Sequence, residues 1–120
     1  MNAAEVYRRQ MRSSASGQGE LGALFAELVQ TVAGARSAIA AAQLQDAHGQ
    51  LVLAQQILSI LRMGLAPEPA ELVRNLSALY LHCELLLAKA NMGKSVAEID
   101  QALAVLTVLR DAWQEAAMQA

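Results

Sequence analysis

The sequence predicts an all-α protein, an antiparallel four-helix bundle with a short N-terminal helix or flexible arm. Three observations predict it. Apolar residues recur in alternating steps of three and four along four separate segments, the spacing of one face of a helix. Only 3% of the 120 residues are aromatic, so the core is built from Leu, Ala, Val and Ile, which suits packed helices better than sheets. Four segments averaging 3.5 residues per step make seams for helices crossing at shallow angles.

Each element follows from its residues. Residues 1–13 form a short amphipathic arm, a brief helix or a disordered segment, because stretches under ~12 residues are marginal alone. The first long helix spans about 17–42 and carries Leu21, Phe25, Leu28, Val32, Ala35, Ile39 and Ala42 on one stripe. Ser14 to Gly17 can cap it. The second spans about 45–63 after a tight turn at Gln43 to Asp46, with Leu44, Ala47, Leu51, Ala54, Leu58 and Leu61 in step. Gly64 and Ala66-Pro67-Glu68-Pro69 separate it from the third, since proline is tolerated only in a first turn. The third spans about 68–91, with Leu72, Leu76, Leu79, Cys83, Leu86 and Ala90 in step. Asn91-Met92-Gly93 ends it, with Gly93 free to take positive φ. Ser95-Val96-Ala97-Glu98 reads as a capping box, in which Ser95 and Glu98 satisfy each other's backbone donors. The fourth helix spans about 95–118, with Ile99, Ala102, Leu106, Leu109, Trp113 and Ala116 in step. Residues 1–120 read as a single domain.

Composition excludes several function classes. Nine Lys+Arg against eleven Asp+Glu give a net charge of −2, against the basic excess of a nucleic-acid surface. The Arg8, Arg9 and Arg12 patch is small for a nucleic-acid or membrane footprint and reads as a solvated face. Hydrophobic residues at 55% and charged residues at 17% exclude disorder. The single cysteine excludes an intrachain disulfide and a multi-cysteine zinc site. No apolar run approaches the ~20 residues of a membrane span, and the N-terminus has no apolar signal core, so the expectation is a cytoplasmic protein without membrane insertion.

Chemical motifs are few. Gly17-Gln18-Gly19-Glu20-Leu21-Gly22 matches GxGxxG, but no strand precedes it and a helix entry explains it better. Gly93-Lys94-Ser95 looks like the end of a phosphate-binding loop, yet Ala88 stands where its first glycine belongs. His48 and His82 each lack a glutamate three residues before, so the di-iron bundle pattern is absent. Cys83 falls on the apolar stripe and reads as a small core residue. No catalytic residue, metal site or cofactor follows from this inventory, and an enzyme is not expected.

The third helix carries more apolar surface than one seam needs, notably Tyr80, Leu81, Leu85 and Leu87 beside its stripe. It is either a deeply buried central helix or one with an exposed apolar patch, which marks an interface. Leu81 and Leu85, with Leu86 beside them, are candidates for a second interface, to a homodimer partner or another protein.

Asn75-Leu76-Ser77-Ala78-Leu79-Tyr80, Leu87, Ala90-Asn91, Leu106 and Leu109-Arg110-Asp111-Ala112-Trp113 together resemble the C-terminal half of the FliS family, bacterial flagellar export chaperones. Tyr7 followed by Ser14-Ala15-Ser16 resembles that family's tyrosine and Thr-Ala-Ser-Pro element. The resemblance implies a non-enzymatic cytoplasmic bundle that binds the C-terminal segment of flagellin, prevents premature polymerisation and presents it to the flagellar type III export gate. It implies a binding groove, for which Leu24, Phe25, Leu28, Tyr80, Leu106 and Leu109 are the candidates, with Tyr7 on a covering arm. The chain departs from the family pattern at Leu24-Phe25-Ala26-Glu27, at Gly17, at Leu81-His82 and at Leu85-Leu86, where the family carries Leu-Tyr-Asp-Gly, proline, Asp-Tyr and two arginines. The alternative is a self-associating or regulatory docking bundle of a secretion system that binds no flagellin.

Overall fold

The computed structural model describes residues 17–67 and 69–119. Four helices account for nearly all of them: α1 (Gly17–Ala40), α2 (Leu44–Met63), α3 (Ala70–Gly93) and α4 (Val96–Gln119). Each helix follows the last through a short turn, so neighbours run antiparallel. The helices stand at the corners of a square: α1 packs on α2 and α4, and α3 packs on α2 and α4. The bundle measures 43 × 24 × 22 Å, the long axis being set by helices of 24 residues at about 1.5 Å per residue.

The expected stripes point inward for most of their length. Ala42 and Leu44, at the first turn, are exposed. On α3 Leu87 is buried while Leu72, Leu79 and Leu86 are half-buried, because the inward face is turned slightly from the expected one. Leu21, Phe25, Leu28, Val32 and Ala35 of α1, Leu51, Ala54, Leu58 and Leu61 of α2, Leu76, Cys83, Leu87 and Ala90 of α3, and Ile99, Ala102, Leu106, Leu109, Trp113 and Ala116 of α4 form one buried cluster. Burying a leucine or isoleucine contributes on the order of 2 kcal/mol, so this cluster is what outweighs the entropy of ordering the chain. Three large rings brace one part of it. Phe25 lies 6.1 Å from Tyr80, edge-on at 60°, and 5.6 Å from Trp113 at 30°, tying α1 to both α3 and α4.

The turns differ from expectation in instructive ways. α1 stops at Ala40, two residues early, because Ala42 takes φ 59°. The Gln43 N–H donates to Ala38 O at 2.8 Å and the Ala42 N–H to Ile39 O at 3.0 Å, a Schellman closure without its usual glycine. The turn is therefore Ala41–Gln43, and α2 starts at Leu44. α3 starts at Ala70, with Pro69 at the N-cap in extended backbone, and runs on through Gly93.

At that end the positive φ falls on Lys94 (φ 48°, ψ 48°), not on Gly93. The Lys94 ammonium accounts for it: Nζ donates to Asn91 O at 2.5 Å and to Asn91 Oδ1 at 2.7 Å, placing a cation on the carbonyl end of α3. The capping box is likewise only partly made. The Ser95 N–H donates to Ala90 O at 3.0 Å and so does not need the Glu98 carboxylate. The Ser95 side chain instead hydrogen-bonds that carboxylate and holds it below the usual carboxylate range, while Glu98 Oε2 is buried without a hydrogen-bond partner.

Candidate functional site

The candidate groove residues sit mostly inside the closed bundle. Phe25, Leu28, Tyr80, Leu106 and Leu109 are buried, and Leu24 is half-buried against the same core. Phe25 and Tyr80 touch directly, as described; Leu28, Leu106 and Leu109 belong to the same cluster. The physical reason is their register: these five lie on the inward stripes, which the neighbouring helices cover. A groove lined by all six is therefore absent from the closed bundle, and among the six only Leu24 offers appreciable surface. Tyr7 and the arm over residues 1–13 lie outside the described residues.

The candidate second interface divides too. Leu81 and Leu85, candidates for contact with a homodimer partner or a co-chaperone, are 44% and 61% exposed, whereas Leu86 is half-buried and packs on the core. The apolar surplus of α3 is thus split: Tyr80 and Leu87 are core, and Leu81 and Leu85 face solvent. Other apolar side chains are open as well, and of these Leu53 and Ile60 went unnoticed in the sequence. Leu53, Ile60 and Met63 lie on the outer side of α2, Met92 on α3 and Val108 on α4. Leu53 and Ile60 are seven apart, and that spacing off the main stripe was the available signal.

Two ion pairs lock adjacent helices beside these surfaces. Arg62 Nε meets Glu84 Oε2 at 2.7 Å and Nη2 meets Oε1 at 3.3 Å, joining α2 to α3 in a two-pronged contact. Arg36 meets both carboxylate oxygens of Asp100 at 2.6 and 3.2 Å, joining α1 to α4. The guanidinium beside Asp100 holds its carboxyl below the usual range.

Between α2 and α3 a shallow depression of about 410 Å³ is lined by His48, Gln55, Ala88, Asn91, Met92 and Lys94. Lys94 Nζ donates to Asn91 Oδ1, which fixes the amide so that the Asn91 nitrogen donates to His48 Nδ1 at 2.9 Å. These polar groups satisfy one another and clamp the helix ends, which is a structural role.

Nucleophilic chemistry has no support here. Burial pushes the Cys83 thiol up to about 11, with the Glu84 carboxylate adding to the effect, so little thiolate forms at neutral pH. Among the described residues no three of His, Cys, Asp and Glu converge as metal ligands. No described helix is long and apolar enough to cross a membrane. What the architecture offers is a rigid bundle with apolar side chains left on its outer faces, suited to holding another chain.

No curated protein gives a significant match to this sequence. The family model described as flagellar protein FliS matches residues 1–120. That match spans the whole of the bundle and the segment before it, so the chain belongs to the FliS family, a family of flagellar export chaperones rather than of enzymes.

Proposed function

We propose that this protein binds the C-terminal segment of flagellin in the cytoplasm, keeps it from polymerising early, and hands it to the flagellar export gate. The observation that carries this reading is the family match over residues 1–120. Its physical support is a bundle with its own core complete and apolar side chains to spare on the surface. An unfolded amphipathic client would lay its apolar residues along such a bundle in helical form. Ordering it costs about 2–5 kcal/mol, so the contact has to be extensive.

On this reading Leu24 is the contact within the candidate set. Phe25, Leu28, Tyr80, Leu106 and Leu109 form the floor beneath it, setting the spacing of the helices the client spans. The arm bearing Tyr7 covers part of the surface and gives way to the client, and removing residues 1–13 then tightens apparent affinity by the reciprocal of the open fraction. Calorimetric titration with the C-terminal segment of each flagellin from the same genome tests the proposal. Micromolar or tighter binding with a large negative heat-capacity change supports it. No heat from a folded helical sample with any of them refutes it.

A further inference from the structure

We propose that the solvent face of α3 is an interface for a second copy of this chain, with the two α3 helices packed antiparallel about a twofold axis near residue 80. This does not depend on the flagellin reading. α3 is apolar on two sides. Its inner stripe, including Leu76, Cys83 and Leu87, is buried, and on the outer side Leu81 and Leu85 stand 44% and 61% exposed with Ala78 one turn before Leu81. Positions spaced by three and four are the seam spacing that packs one helix on another.

The charges select the occupant and its direction. Glu71 and Lys89 are exposed and eighteen residues apart, five full turns, so they lie on the same edge of the outer face. In an antiparallel twofold pair, like edges lie side by side, so an edge must complement itself. Centring the pair on residue 80, within two residues of the middle of Ala70–Gly93, sets Glu71 of each copy against Lys89 of the other. The same centring sets Leu81 across from Leu79 and, one residue along, the small Ala78 of the other copy, and sets Leu85 across from Asn75 beside the exposed Arg74, whose alkyl stem it can cover. A parallel pair would oppose Glu71 to Glu71 and Lys89 to Lys89. A face that carries open leucines and, along one edge, opposite charges at equal distances from residue 80 fits a second copy of itself.

Sedimentation equilibrium of the full chain tests this. The wild type is expected to dimerise reversibly at roughly 10–100 μM, as befits a small interface. Leu85→Asp, at an exposed position that leaves the helical spectrum unchanged, is expected to be monomeric over that range. Glu71→Lys alone and Lys89→Glu alone each turn two attractions into two repulsions and are expected to weaken self-association about tenfold. Mixed one to one, these two variants carry opposite charges at both contacts and are expected to form a heterodimer at least as tight as the wild type. A wild type that stays monomeric across this range, a dimer that survives Leu85→Asp, or a mixture no tighter than its separate components would each overturn the proposal.

Discussion

Truncating Phe25 asks whether it is core or contact surface. Its ring is fully buried and meets Tyr80 at 6.1 Å and Trp113 at 5.6 Å. An aromatic ring of this kind buries roughly 150–200 Å², which at about 25 cal/mol per Å² is worth around 4 kcal/mol. Each ring pair adds on the order of 0.5–1 kcal/mol, while the alanine methyl and partial collapse of the cavity give some back. Phe25→Ala is therefore expected to cost about 4 kcal/mol, a large part of the ~5–15 kcal/mol typical of a domain. Urea unfolding followed by circular dichroism at the helix band measures it, with Phe25→Leu as the volume-retaining control at less than about 1.5 kcal/mol. A Phe25→Ala loss below about 2 kcal/mol would refute the reasoning. It would show that the three-ring cluster is open in solution and that Phe25 lines an accessible groove.

Other expectations follow from single positions. Ala42 holds φ 59° in an exposed turn, so Ala42→Gly is expected to stabilise by about 1 kcal/mol in the same urea assay. Gly49→Ala meets open space and is expected to stabilise by about 0.5–1 kcal/mol, whereas Gly34→Ala overlaps the Gln50 amide on α2 and is expected to gain less. Cys83 is expected to resist a thiol reagent at pH 8 in the native state and to react fully in denaturant; prompt native reaction would contradict its burial. The Asp100 and Glu98 carboxyls both titrate below their ordinary values, so the unfolded chain takes up their protons first as pH falls. Their contribution is in place above about pH 4–5 and is lost as pH drops through the folded values, so Tm is expected to decline there, and less steeply in Asp100→Asn.

The four helices were readable because burial enforces apolar residues at every three or four positions, and nothing else in the chain competes with that pattern. The helix ends were less so. Ala42 and Lys94 both take left-handed backbone that their residue types seldom adopt, and Gly93, the obvious candidate, stays helical. Lys94 does so through its bonds to Asn91, a local contact that spacing cannot reveal. The Arg36–Asp100 and Arg62–Glu84 pairs bring together residues far apart in sequence, and no periodicity marks which charges will meet.

The candidate site shows a deeper ambiguity. A core stripe and a groove lining demand the same apolar residues at the same spacing, so Phe25, Leu28, Tyr80, Leu106 and Leu109 could be read either way until burial placed them inside. Leu81 and Leu85 could be separated from Leu87 only once the direction of the core was known. Helices α2 and α3 on one side, and α1 and α4 on the other, are each cross-linked by an ion pair, which favours a client laid on the bundle over one that pries it apart.

Seeded flagellin polymerisation in the presence of increasing amounts of this protein tests the central claim most directly. The account predicts that filament growth falls in proportion to added protein and stops near one equivalent per flagellin, with no nucleotide required. Undiminished growth at a severalfold excess of folded protein, for every flagellin of the same genome, would contradict it.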